Sequence, residues 1–407
     1  MGSYSDNFVS KKLGTLKGRA LIRIDINVPI KKGVISSNNL RFKAFAKNLS
    51  RYVQNGITPI LISHQGRKGD DDYMESLEQH AKALSSFAKD VEVVYSDSLG
   101  GKETEDAIKQ LGKGQALLLR NLRSDDDEKT EFATDAERQN CAMVQRLSKA
   151  ADFYINDAPA TMHRADTSLI GFRGAMPSYL GLLLEDELKV LAEMREKIRS
   201  GVEVAIIFGG KKWEKFSYIY KLAKNPNVRI LCGGMPGQSV SYAKNKERFN
   251  KENADFILSS GGLETAQKLI TEFSGRILYP KDFILNTGED ASLEKLSEKK
   301  GLIMDIGEET LNTFFDEMEK ADTIIYAGPV GVYEKGYKQT IRLVTRFMGL
   351  KTHNYTLGGN SADSIDDIGL EVAYEALGGE RITSGGSGLA YLADESLPVL
   401  KAFGNGA

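Results

Sequence analysis

Short apolar runs separated by amphipathic stretches recur along the whole chain. In the first half the runs are ALIRIDINV (20–28), ITPILIS (57–63), VEVVYS (91–96), QALLLRN (115–121) and DFYINDA (152–158). Each has the length and the apolar content of a buried strand. Between the first two lies RFKAFAKNLSRYVQNG (41–56), apolar at helical spacing and closed by a glycine suited to a helix stop. The second half continues with EVAIIFGG (203–210), VRILCGG (228–234), DFILSSGG (255–262), GLIMDIG (301–307), DTIIYAG (322–328) and NYTLGG (354–359). Strands alternating with helical patterns predict an α/β fold of parallel sheets with helices on both faces. The segment YLGLLLEDELKVLAEMREKIRSG (179–201) predicts a long helix connecting the halves.

Composition narrows the class. A chain of 407 residues exceeds what one hydrophobic core usually supports, so two domains are expected. A net charge of −2 gives no electrostatic case for nucleic acid or an anionic membrane as partner. The only cysteines, Cys141 and Cys232, lack metal-ligand spacing and suit a reducing compartment. No apolar run approaches a membrane span, and MGSYSDNFVSKKLGT at the N-terminus has no apolar signal core, so a cytoplasmic location is expected.

The ends of the strands in the first half carry the chemistry. Ligands of open parallel sheets bind outside the carboxyl ends of the strands. Arg23, Asp25 and Asn27 alternate with Ile22, Ile24 and Ile26, which predicts one polar and one apolar face. His64 and Arg67 follow the second strand, Asn121 and Arg123 the fourth, His163 and Arg164 the fifth, and Arg41 the loop after the first. Singly, each is more readily a solvated or structural group. Together on one sheet edge they call for an anion, since clustered guanidinium groups repel one another without one. The expected ligand is small and multiply anionic.

Strands of the second half end instead in glycines. FGGKKWEKF (208–216) puts two glycines and a lysine between a strand and a helix, and CGG (232–234), YAGPVGVYE (326–334), LGGNSA (357–362) and TSGGSG (383–388) are further glycine turns. Glycine lets the backbone approach phosphate oxygens, and helix starts supply free N–H groups. A nucleotide polyphosphate site is the expectation. Neither the P-loop nor the dinucleotide fingerprint occurs.

With both halves in view, the chain resembles the phosphoglycerate kinase family over nearly its full length. RIDINVP (23–29), SHQGR (63–67), NLR (121–123), INDA…HR (155–164), GG-K (209–212), PKD (280–282), DIG (305–307), GPVGVYE (328–334), LGGNS (357–361) and TSGGSG (383–388) fall in the family's order. The resemblance implies two parallel-sheet, Rossmann-like α/β/α domains with a hinge cleft between them. Their expected bounds are 1–178 for the acid-substrate domain, 179–201 for the helix and 202–390 for the nucleotide domain, with the tail 391–407 returning to the first domain. It also implies reversible transfer of a phosphoryl group between ATP and the carboxylate of 3-phosphoglycerate, with ADP and 1,3-bisphosphoglycerate as products, Mg²⁺ as companion ion, and a monomer.

By motif position, Asp25, Asn27, Arg41, His64, Arg67, Arg123 and Arg164 look like the acid-binding set. Gly210, Lys212, Gly234, Glu334, Gly358, Gly359, Asn360 and Ser361 look like the nucleotide set, Glu334 being the ribose acceptor. Arg41, Lys212 and the N–H groups of Gly385 and Gly386 are the expected charge and donors on the transferring phosphoryl. The chain departs from the family pattern at Arg120, at Ala327, at Leu357 and at Asn360, where an aspartate usually meets the metal. Lys215 stands one residue early for the family's second lysine, whose ungapped place is Phe216. Some of these departures are shared by archaeal members, which points to an archaeal-type form. The alternatives are a relative that acts on another small carboxylic acid, and a non-catalytic or regulatory protein that keeps the acid site.

Overall fold

The computed structural model describes residues 3–211 and 213–404, the side chains of Glu214 and Asn360 excepted. The chain packs into two compact units, Met1–Val190 with Ser396–Ala407, and Leu191–Glu395. Both are α/β.

In the first unit, β1 (Gly18–Ile24), β2 (Ile57–Ile62), β3 (Glu92–Ser96), β4 (Gln115–Leu119), β5 (Phe153–Asp157) and β6 (Ser178–Leu180) form one sheet in the order β3-β4-β2-β1-β5-β6. All its pairings are parallel. The register sets Arg23 of β1 level with Ile62 of β2 and Asn156 of β5, so the residues that follow these three emerge at one edge. The helix Leu40–Gln54 starts at Asn39, whose side chain accepts from the Arg41 N–H. Its buried Phe42, Phe45, Leu49 and Tyr52 pack on Ile22, Ile24 and Leu61 of the sheet. The expected strand 20–28 ends early, at Ile24.

The long helix runs Leu182–Ser200, with the short strand β6 in place of its expected first turn. Its start is held to the first unit by Asp157 at the end of β5. Tyr52 donates its hydroxyl to Asp157 Oδ2 at 2.8 Å and accepts from the Leu182 N–H at 2.8 Å, while the Leu184 N–H reaches Asp157 Oδ1 at 2.9 Å. Burial raises the Asp157 pKa to about 7. The folded chain therefore keeps a proton there that the unfolded chain releases near pH 4, so stability attached to this group is present at low pH and lost as pH rises. Relative to Asp157→Asn, the parent is expected to lose about 1 kcal/mol per pH unit between about pH 4 and 7. Urea titrations of both proteins across that range measure it, and a pH-independent difference would exclude a shifted Asp157.

In the second unit, β7 (Val204–Phe208), β8 (Val228–Cys232) and β9 (Ile277–Leu278) precede a small sheet of β10 (Asp282–Leu285), β11 (Asp290–Ser292) and β12 (Ile303–Ile306). The chain then adds β13 (Thr323–Tyr326), β14 (His353–Leu357) and β15 (Glu380–Ile382) to the main sheet. The main order is β9-β8-β7-β13-β14-β15, all parallel, and the strand order reverses between β7 and β13. That is the doubly wound arrangement, with its ligand crevice at the reversal. Two expectations differ. GLIMDIG supplies β12 of the small antiparallel sheet, not a strand of the parallel one. DFILSSGG lies largely in the helix Lys251–Ser260, where Asn250 caps the Asn253 N–H and Asn253 and Ile257 are buried four residues apart. Among the described residues no helix is long and apolar enough to cross a membrane.

Candidate functional site

The carboxyl edge of the first sheet gathers the sequence-predicted cations around His64. Arg23 is fully buried inside β1. Its Nε donates to Ser168 Oγ at 2.9 Å, and Ser168 Oγ donates in turn to Glu128 at 2.8 Å. Its Nη2 lies 2.7 Å from His64 Nδ1. A guanidinium can only donate, so Nδ1 accepts and the imidazole hydrogen sits on Nε2. His64 is 1 % exposed. Burial, and then the charges of Arg23, Arg123, Arg164 and Arg41, hold its pKa well below the ordinary histidine value. It is a neutral donor. Its Nε2 lies 3.5 Å from Arg164 Nη1, a second donor, and donors converging in this way favour an oxygen anion.

Loop contacts tie the remaining residues into this edge. Asn27 Oδ1 accepts from the Gly66 N–H at 3.0 Å, and Arg123 Nη1 donates to the Gly66 carbonyl. Gly66 has φ +63°, and a Cβ there would lie 2.2 Å from the Asp72 carbonyl oxygen, so only glycine fits the turn. Arg41 donates to the Asn27 carbonyl and pairs with Asp25 at 3.1 Å. Asp25 also accepts from the Asn27 N–H at 3.2 Å. Burial and the neighbouring Arg164 lower the Arg123 pKa. Arg67 stands apart from this network, exposed beyond the turn.

Three residues position this set from outside it: Arg23 and Asn121, which the strand-end reading noted without giving them a place in the acid-binding set, and Gln65, which it did not single out. Arg23 fixes the His64 tautomer. Gln65 bonds both the N–H and the carbonyl of Val28, each at 3.0 Å, and so joins the ends of β1 and β2. Asn121 accepts from the Arg123 N–H at 3.0 Å and donates to the Gln65 carbonyl at 2.8 Å. The period-two alternation of RIDIN marked Arg23 as polar, but not as a partner of His64. Of the predicted polar positions, Arg23 in β1 and Asp25 just after it are buried and Asn27 is half-buried, because both faces of the sheet are covered.

At the reversal point of the second sheet, glycine backbones touch. A Cβ on Gly209 would meet the Pro329 carbonyl oxygen at 2.1 Å, and one on Gly328 the Gly209 oxygen at 2.4 Å. Gly210 donates to the Pro329 carbonyl at 2.8 Å and Gly234 to the Val330 carbonyl at 2.7 Å. These two N–H groups are therefore engaged within the loops, and what Gly210 and Gly234 offer a ligand is close backbone approach. Gly358, at φ +87°, packs its backbone against Gly385, with 2.7 Å from an added Cβ to the Gly385 Cα. It leads into the helix Gly359–Asp366, whose first-turn N–H groups, at Gly359 and Ser361 among others, have no partner within the helix. Gly386 opens the helix Gly386–Leu392 and has open space where a Cβ would be. Glu334 is exposed on the turn Tyr333–Lys335. Lys212 and the side chain of Asn360 lie outside the described residues.

An anion-gathering edge on one sheet and glycine-lined strand ends on another match a single set of relatives. The model of the family Phosphoglycerate kinase matches residues 11–395. The chain belongs to this family. A phosphoglycerate kinase of Thermoplasma volcanium is 30 % identical over 400 residues, 95 % of each chain. One from Sulfurisphaera tokodaii is 32 % identical over 396 residues, covering 94 % of this chain and 92 % of the relative. The crystal structure of phosphoglycerate kinase from Pyrococcus horikoshii superposes with a TM-score of 0.86 at 28 % identity, over 97 % of this chain and 98 % of that one. These phosphoglycerate kinases are archaeal.

Proposed function

We propose that the protein is an ATP-dependent phosphotransferase that moves a phosphoryl group reversibly between ATP and the carboxylate of 3-phosphoglycerate. The observation that carries this reading is the convergence of His64, Arg123, Arg164 and Arg41 donors at one sheet edge in a chain of this family. A neutral His64 donating from Nε2 binds an anionic oxygen without acting as a base. No base is needed, because a carboxylate is already ionised at neutral pH. Catalysis then consists of alignment and of charge on the phosphoryl oxygens. Asp25, Asn27, Arg41, His64, Arg67, Arg123 and Arg164 take the acid. Gly210, Gly234, Gly358, Gly359, Asn360 and Ser361 take the nucleotide phosphates, Glu334 the ribose, and Lys212 with the Gly385–Gly386 turn the transferring group.

Among the described residues no group of three or more His, Cys, Asp or Glu side chains is placed to hold a metal ion. The Mg²⁺ that the family reading calls for would arrive on the nucleotide's own phosphates, with Asn360 as its weak protein contact. A monomer working in the cytoplasm completes the reading. A steady-state assay with ATP, Mg²⁺ and 3-phosphoglycerate, coupled to removal of 1,3-bisphosphoglycerate, tests it. Turnover is the expected result. Binding of the acid by calorimetry without turnover would replace the reading with a non-catalytic one, and no binding of the acid with one for another substrate.

A further inference from the structure

The PKD and DIG segments supply two aspartates to which the reading above gives no part. Asp282 caps a helix: its Oδ2 accepts from the Glu309 N–H at 2.8 Å and its Oδ1 from the Thr310 N–H at 2.9 Å, at the start of Glu308–Met318. Asp305 does something else. It is 2 % exposed in β12; one oxygen bonds one end of a segment and the other packs against that segment's opposite end. Oδ2 accepts from the N–H of Gln339, the first residue of the helix Gln339–Met348, at 3.0 Å. Oδ1 accepts from the Ile306 N–H at 3.0 Å and is so close to the Gly331 backbone that a Cβ there would lie 1.9 Å away.

Residues 331–338 therefore leave the Asp305 carboxylate at Gly331 and return to it just before Gln339, and Glu334 lies between. Thr340 reinforces the departure, its Oγ1 accepting from the Val330 and Gly331 N–H groups at 3.1 and 3.3 Å. The Val332 N–H pairs with the Met304 carbonyl at 2.9 Å, next to Asp305 in the chain. Burial raises the Asp305 pKa to about 6 against the opposing pull of its two N–H donors. An apolar residue at this depth would avoid that desolvation, so the carboxylate has a local use.

We propose that Asp305 is a positioning residue for the nucleotide: by closing residues 331–338 into a fixed loop on one carboxylate, it holds Glu334 where the ribose hydroxyls bind. The inference rests on the reading of Glu334 as the ribose acceptor. Asp305→Asn is isosteric, but its amide NH₂ must face either the Gln339 N–H, which frees the far end of the loop, or the Ile306 N–H beside Gly331, which displaces the side chain from the loop's start. The KM for ATP is expected to rise about tenfold while the KM for 3-phosphoglycerate stays within about twofold of the parent. A role in bulk stability alone would move both.

The deciding experiment is a cycle of Asp305→Asn, Glu334→Gln and the double variant, with ATP and ADP binding measured by calorimetry beside the kinetics and folding checked by circular dichroism. If Asp305 acts through Glu334, its substitution weakens nucleotide binding in the parent but adds less than about twofold once Glu334 is already Gln. Additive effects, or unchanged ATP affinity in folded Asp305→Asn, would overturn the proposal while leaving the kinase reading intact. If Asp305→Asn does not fold, Thr340→Val loosens the same loop from its other anchor and must show the same selective rise in KM for ATP. A parent protein that binds neither ATP nor ADP would overturn both readings together.

Discussion

Arg41→Ala is expected to lower kcat by about three orders of magnitude while the protein stays folded. The magnitude follows from the place of the guanidinium: a positioned cation on a transferring phosphoryl group is worth about 10³-fold or more in turnover. Arg41 is held for such a task by its own surroundings. Its backbone N–H is bound by the Asn39 cap, and its side chain reaches back to the Asn27 carbonyl and to Asp25 at 3.1 Å. That pairing does not use up the residue, since a guanidinium has five donors in a planar fork. Truncation leaves Asp25 without its ion pair, at a cost of about 2 kcal/mol, too little to unfold a typical domain. Arg41→Lys keeps the charge but not the fork and should fall between the two. Kinetics on folded samples decide the matter, and an Arg41→Ala enzyme within tenfold of the parent would remove Arg41 from the chemistry.

The arginine could be singled out in advance because strand ends are legible. Apolar runs at 57–62, 115–119 and 153–157 are strands of the first sheet and those at 204–208 and 228–232 strands of the second, and within each sheet the parallel order brings the carboxyl ends to one edge as the alternation with helices requires. Legibility failed where a short apolar run had no second signal. DFIL in 255–258 has strand composition, but the Asn250 cap and the four-residue spacing of Asn253 and Ile257 make it helical. The small antiparallel sheet was hidden because a run such as LIMDI shows burial but not its partner. The site was legible as a set of residue types and not as a network. Period-two alternation in RIDIN separates two faces, yet cannot tell which of them is covered. For the same reason the glycines announced close approach at Gly210 and Gly234, but not that both N–H groups would be taken by the carbonyls of residues 329 and 330.

Arg23 shows what that blindness costs, and its substitution carries the second large effect. Arg23→Met is expected to destabilise the fold by about 3–5 kcal/mol, the usual result of removing one partner from a buried charge network. Glu128, fully buried, keeps only the Ser168 N–H and hydroxyl once the guanidinium is gone. Burial already raises its pKa, and the positive charge of Arg23 does most to hold it down. Adding Glu128→Gln should therefore recover about half the loss, since a neutral amide no longer needs the cation. Binding should not recover with it. His64 Nδ1 loses its donor in the single and the double variant alike, so the hydrogen is no longer confined to Nε2 and the donor offered to the acid is diluted between tautomers. We expect 3-phosphoglycerate affinity to fall about tenfold in both. Urea unfolding and calorimetry of the two variants separate the effects. Recovery of stability with affinity still lost means that Arg23 serves the fold through Glu128 and the site through His64, whereas affinity equal to the parent's in the double variant would reduce it to a structural charge.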